Sequence, residues 1–120
     1  MPTIAVIGAS SDRAKFGNRC VRAYAQAGWT VYPINPRESA IEGLPVYQSI
    51  RDLPAGPIDL VSLYLSRVPG VAVLDEIAER GDVRELMLNP GADHPDVVAK
   101  AKQLGLNVVT GCSLIALQAM

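Results

Sequence analysis

Four apolar residues in a row, Ile4-Ala5-Val6-Ile7, run without a polar interruption into Gly8-Ala9-Ser10. A strand with one wet face alternates apolar and polar side chains, whereas a strand covered on both faces does not, and burial on both faces is the condition of a strand inside a parallel sheet. The small residues that follow suit a tight turn into a helix. This opening restricts the chain to folds that place helices on both sides of a sheet.

The rest of the sequence continues the alternation. Cys20, Val21, Tyr24, Ala25 and Ala27 recur at helical spacing and Gly28 stands where a C-cap belongs. Residues 29–34 read as a second strand, stopped by Asn35-Pro36. The stretch 37–57 is rich in Gly, Pro and Ser; within it Val46-Tyr47 predicts a short extended piece, and residues 49–53 a turn or short helix. A third strand is expected over 58–65. Val71, Leu74, Ile77 and Ala78 then mark a helix closed by Gly81, and 85–88 is a fourth strand. Asp93 or His94 before Pro95 starts another helix, with Val97, Val98, Ala101 and Leu104 as its stripe and Gly105 as its end; 107–110 is the fifth strand. The expectation is one doubly wound, Rossmann-like α/β domain over residues 1–120, with a parallel sheet of five main strands in the order 3-2-1-4-5.

Composition narrows the function classes. With 49% apolar and 19% charged residues the chain is far from a disordered composition, and a net charge of −1, evenly spread, provides no one-signed field for nucleic acid or an anionic membrane. No apolar run approaches the roughly 18 residues of a membrane span, and no charged-then-apolar leader precedes the first strand, so a cytoplasmic location is expected. Two distant cysteines, Cys20 and Cys112, and the single His94 exclude a zinc site of ordinary spacing and make a disulfide framework unexpected.

In an open sheet of this kind ligands bind outside the carboxyl ends of the strands, where the strand order reverses, here expected between the first and fourth strands. The loop leaving the first strand reads Gly8-Ala9-Ser10-Ser11-Asp12-Arg13-Ala14-Lys15-Phe16-Gly17. Ser10 and Arg13 replace two glycines of the dinucleotide fingerprint, and no Gly-Lys-Ser or Gly-Lys-Thr follows as a Walker A loop requires. A small-residue turn, two cations and a helix start near Gly17 still favour an anion. The plain alternative is a turn with solvated cations. At the end of the second strand, Asn35-Pro36-Arg37 offers a cation where NAD-binding chains carry an acid; Glu38, one residue on, is poorly placed for ribose. Arg37 therefore suits an additional phosphate on the ribose.

With Gly8-Ala9-Ser10, Lys15-Phe16-Gly17, Asn35-Pro36, Gly43, Pro90-Gly91 and Cys112 in these positions, the chain resembles the small stand-alone coenzyme A-binding proteins related to the amino-terminal domain of the succinyl-coenzyme A synthetase α subunit. The resemblance implies coenzyme A or an acyl-CoA as ligand. Gly8, Ala9, Ser10 and Lys15 would hold the pyrophosphate, with Arg13, Phe16 and Gly17 in the same loop; Asn35, Pro36 and Arg37 would lie at the ribose phosphate; and Leu65, Ser66 and Arg67 would border the adenine. That last loop departs from the family, which often has a double proline where this chain has Leu65-Ser66-Arg67-Val68-Pro69. Pro90, Gly91 and Cys112 complete the set at the far strand ends.

No nucleophile–base pair or carboxylate cluster falls at the strand ends. His94 reads as a helix cap, Cys20 as core, and Cys112 either as a small buried residue or as a thiol able to form a reversible mixed disulfide with coenzyme A. The leading expectation is a non-catalytic module that sequesters or senses the cofactor or presents it to a partner enzyme. Beside it stand an NADP-dependent oxidoreductase and a ligand-free interaction domain of the same fold. Leu114, Ile115 and Leu117 in the last helix would serve either a homodimer or packing on the sheet.

Overall fold

The computed structural model describes all residues from Met1 to Met120. Five parallel strands form the sheet: β1 (Thr3–Ile7), β2 (Thr30–Ile34), β5 (Leu60–Leu63), β6 (Leu86–Leu88) and β7 (Val108–Thr110). A separate two-stranded hairpin is made by β3 (Ala40–Ile41) and β4 (Leu44–Pro45), followed by a 3₁₀ turn over Ile50–Asp52. The helices are α1 (Phe16–Gln26), α2 (Arg67–Arg80), α3 (Pro95–Gln103) and α4 (Ser113–Gln118). No helix is long and apolar enough to cross a membrane.

The two-sided burial of β1 follows from its composition. Ala5 and Ile7 pack into the core under α2 and α3, while Ile4 and Val6 face the core under α1 and α4. Each fully buried Ile or Val contributes about 1.5–3 kcal/mol relative to exposure, so moving β1 to an edge or wetting either face would cost several of these terms. The fold is α/β and Rossmann-like, with helices on both faces of a five-stranded parallel sheet.

The strand order differs from the expected 3-2-1-4-5. It is β2-β1-β5-β6-β7, so the third long strand lies beside the first and the second is an edge. Pro33 gives the physical reason. Its carbonyl accepts Tyr47 N–H (3.0 Å) on the side of β2 away from β1, so the missing proline N–H also falls on that outer side. A strand on that side would lose a ladder bond, which proline permits only at an edge. The reversal therefore lies between β1 and β5.

Several element bounds also shift. α2 begins at Arg67, ahead of the expected apolar stripe, because Pro69 falls within the first turn, where its missing N–H costs nothing. The β3–β4 hairpin lies in the stretch 37–57 and turns at Glu42 (φ 50°) and Gly43 (φ 78°), both left-handed as a two-residue hairpin demands. Tyr47 bridges Ile34, as the short extended piece anticipates.

Candidate functional site

The crevice opens where β1 and β5 send their chains to opposite faces of the sheet. Gly8, at φ +89°, ends β1; a side-chain carbon there would come within 2.9 Å of the Tyr64 carbonyl oxygen and 3.1 Å of Leu65 Cδ2. At Gly17, in the first turn of α1, it would come within 2.6 Å of Gly8 O. Two glycines thus let the helix start press directly on the strand end, with Ala9 fully buried between them.

Hydrogen bonds from neighbouring side chains fix the loop. Ser10 Oγ accepts Asp12 N–H (3.0 Å), Asp12 Oδ1 accepts Ala14 N–H (3.0 Å), and Asn18 Nδ2 donates to Ser10 O (2.9 Å). Asn35 ties the β2 end to it, donating from Nδ2 to Ala9 O (2.8 Å) while its Oδ1 accepts Arg37 N–H (2.8 Å). What is left unspent is informative. The backbone N–H groups of Ala9, Ser10, Phe16, Gly17 and Asn18 take no acceptor from the protein. Donors at a strand-to-helix turn, added to the positive end of an eleven-residue helix, form a cradle whose chemistry suits an anion.

The charges around this cradle are mixed. Lys15 and Arg37 are exposed and belong to no ion pair. Arg13 lies 3.5 Å from Glu42. Glu38 reaches across from the β2 loop, its Oε2 accepting Ser11 N–H (3.0 Å) beside Asn35 Nδ2 (3.4 Å). Arg67 is drawn to Asp96 of α3 at 2.8 Å, and Ser66 caps α2 without a side-chain bond. Pro36, Pro90 and Gly91 are exposed, Leu65 and Cys112 half-buried. Gly8, Ala9, Ser10, Gly17, Asn35 and Leu65 therefore come together as one group, while Arg37 and Arg67 sit at its rim.

Two cavities flank the group. One of about 330 Å³ lies on the α2 side, bordered by Gly8, Asn35, Pro36, Leu65, Pro69 and Glu76. A smaller one, about 90 Å³, lies on the other face between Phe16, Tyr64, Asn89, Pro90 and Cys112. The largest hollow, about 540 Å³, is at the opposite end of the sheet around Pro2, Pro57, Asp59 and Arg84, where the carboxylate and guanidinium pair with each other at 3.5 Å and no helix start points in.

Behind the smaller cavity runs a buried polar network. Asn89 Nδ2 donates to Ser62 Oγ (2.9 Å) and Leu63 O (3.0 Å), and its Oδ1 accepts Ser113 N–H (2.8 Å). Ser62 and Ser113 hydroxyls meet at 2.6 Å, Ser113 Oγ reaches Met87 Sδ at 3.3 Å, and Tyr24 OH donates to Ser113 O at 2.7 Å. Cys20 Sγ lies 3.8 Å from Ser62 Oγ. Its burial pushes the thiol up to about 11, and burial likewise raises Tyr24 and Tyr64 above the ordinary phenol range. The Tyr64 hydroxyl is buried without a partner. No local pattern in the sequence announces this network: Ser62, Asn89 and Ser113 are isolated polar residues, and only Ser62, a hydroxyl within an apolar strand, stands out.

His94 caps α3, its Nδ1 accepting Asp96 N–H at 3.1 Å. No group of three or more His, Cys, Asp or Glu side chains is placed to hold a metal ion.

A doubly wound sheet with an anion cradle at its reversal point describes a broad class. Residues 2–118 match the family described as CoA binding domain, and the chain belongs to that family. Over 79 residues it is 35% identical to the acetate–CoA ligase (ADP-forming) II subunit alpha of Pyrococcus furiosus, covering 65% of this chain but 17% of that subunit. Among solved structures, a conserved hypothetical protein from Pyrococcus furiosus superposes with a TM-score of 0.83 at 31% identity, covering 92% of this chain and 93% of the other. The dinucleotide-forming acetyl-coenzyme A synthetase 1 of Ca. Korarchaeum cryptofilum, solved with phosphate and ADP, gives 0.74 at 27% identity over 89% of this chain and 25% of its own. The chain thus spans a small part of the ligase relatives it matches.

Proposed function

We propose that the chain binds coenzyme A or an acyl-CoA across the carboxyl ends of its strands, as a binding module that holds the cofactor or presents it to a partner enzyme and performs no reaction itself. The observation that carries this reading is the cradle of five unspent N–H groups at the β1–α1 turn. A diphosphate needs several such donors and tolerates no side chain in the way, which is the condition Gly8 and Gly17 meet. Family membership supports coenzyme A over other diphosphates. In this reading Lys15 faces the diphosphate, Arg37 the ribose phosphate, and the cavity beside Asn35, Pro36 and Leu65 takes the adenine.

Calorimetry with coenzyme A, dephospho-coenzyme A, NADPH and NAD tests it. Coenzyme A is expected to bind most tightly. Lys15→Ala should weaken coenzyme A and dephospho-coenzyme A alike, by about tenfold for a lost charged contact, whereas Arg37→Ala should weaken mainly the former. Tighter NADPH than coenzyme A binding would replace the reading with an oxidoreductase-like one, and no binding of any of the four would end it.

A further inference from the structure

The smaller cavity has a composition that selects what can enter it. Its walls are the rings of Phe16 and Tyr64, Pro90, and the Cys112 side chain, and no cation lines it. Asn89 is its one amide, and both of its N–H bonds and its carbonyl are already committed to Ser62, Leu63 and Ser113. Of the remaining lining side chains, Cys112 offers only a weak thiol donor, and the Tyr64 hydroxyl is buried without a hydrogen-bond partner on the Cys20 and Ser62 side. At about 90 Å³ the space admits a group of a few heavy atoms.

Its position along the sheet matters as much. From β2 to β7 the strand order crosses four spacings of about 4.8 Å, so the Arg37 and Cys112 loops stand roughly 19 Å apart along the strand ends. A ligand with its phosphorylated ribose at the β2 loop and its diphosphate at the β1 loop has its flexible arm left to span β5, β6 and β7. Phe16, one residue beyond Lys15, is shared by the cradle and the cavity wall.

We infer that this cavity receives the acyl group of a short-chain, uncharged acyl-CoA, and so sets the module's preference toward two- to four-carbon acyl groups and against those ending in a carboxylate. The inference rests on the coenzyme A reading above. An apolar pocket rewards each methylene it covers until it is full, while a terminal carboxylate entering it would lose water and meet no cation.

The test is a calorimetric series on the unmodified chain with free coenzyme A and its acetyl, propionyl, butyryl, octanoyl and malonyl thioesters. Affinity should rise by about fourfold per added carbon up to butyryl, then fall for octanoyl, and malonyl should bind at least about tenfold more weakly than propionyl. Cys112→Leu, which fills the cavity, should level the acetyl-to-butyryl series. Coenzyme A binding with no dependence on the acyl group, a rise that continues through octanoyl, or malonyl equal to propionyl would each overturn the cavity assignment while leaving the module reading intact. Failure of free coenzyme A itself to bind would overturn both.

Discussion

Around the ends of β1 and β2 the polar groups are exposed or half-exposed and lent between loops: Asn35 to Ala9, Glu38 to Ser11, Glu42 to Arg13. Behind the smaller cavity, at the ends of β5, β6 and β7, they are buried and spent on one another through Ser62, Asn89 and Ser113, and the cavity they back is lined mostly by apolar side chains. Water can replace the first set of bonds, so that side can exchange its protein acceptors for those of a ligand. Nothing can replace the second set, so that side holds its shape whether or not a ligand is present. One end of the site is therefore built to trade partners and the other to keep a cavity.

Asn89→Ala gives the largest test of this contrast. It strips Ser113 N–H of its acceptor, leaves Leu63 O with the Asn89 backbone N–H alone and opens a void behind the cavity, and is expected to cost about 3–4 kcal/mol in urea unfolding. Asn35→Ala also removes an asparagine with one donated and one accepted backbone bond, but in a half-exposed place, and should cost about 1 kcal/mol. Equal losses for the two would break the comparison.

Alkaline pH should reach the buried side next. Below pH 9.0 the Cys20 thiol is protonated in both folded and unfolded chains. Above it the unfolded chain ionises, while folded Cys20 holds its proton until about 11, so stability is lost as pH rises across that window. Two pH units correspond to at most about 2–3 kcal/mol, with Tyr24 and Tyr64 steepening the fall at its upper end because burial raises them too. Cys20→Ala should flatten the first part of the curve. A urea midpoint constant from pH 8 to 11 would show that Cys20 is not held protonated by burial.

The same contrast explains what was legible in the sequence. Apolar runs and helical stripes are dense signals, so five strands and the helices between them follow from Ile4–Ile7 onward with small errors at the ends. The cradle was legible because Gly8, Ala9 and Gly17 meet a steric requirement that few other residues can satisfy. The strand order was not, because it turned on the single outward-facing position of Pro33, which a proline-in-a-strand reading would have caught. The network around Asn89 was hidden for a deeper reason. The side-chain bonds of Asn89 alone span 24 to 27 residues, and Ser62 meets Ser113 across 51, so the network joins only when β5, β6 and α4 are in register.

Glu38 provides the smallest effect and the sharpest question about the exchangeable side. Its carboxylate accepts Ser11 N–H within the loop proposed to hold a diphosphate, and Glu42 engages Arg13 beside it. Two protein anions thus stand close to where ligand anions would come. Glu38→Gln keeps an acceptor for Ser11 but removes the charge, so stability should change by no more than about 0.5 kcal/mol. Affinity for coenzyme A and dephospho-coenzyme A should rise together by about threefold to tenfold at low ionic strength, and the gain should shrink as salt screens it. A loss of affinity would mean that the carboxylate touches the ligand, accepting from a ribose hydroxyl as acids at this strand end do in NAD-binding folds. In that case the β2 end would recognise the sugar through Glu38, and Arg37 would no longer be needed to explain the choice of cofactor.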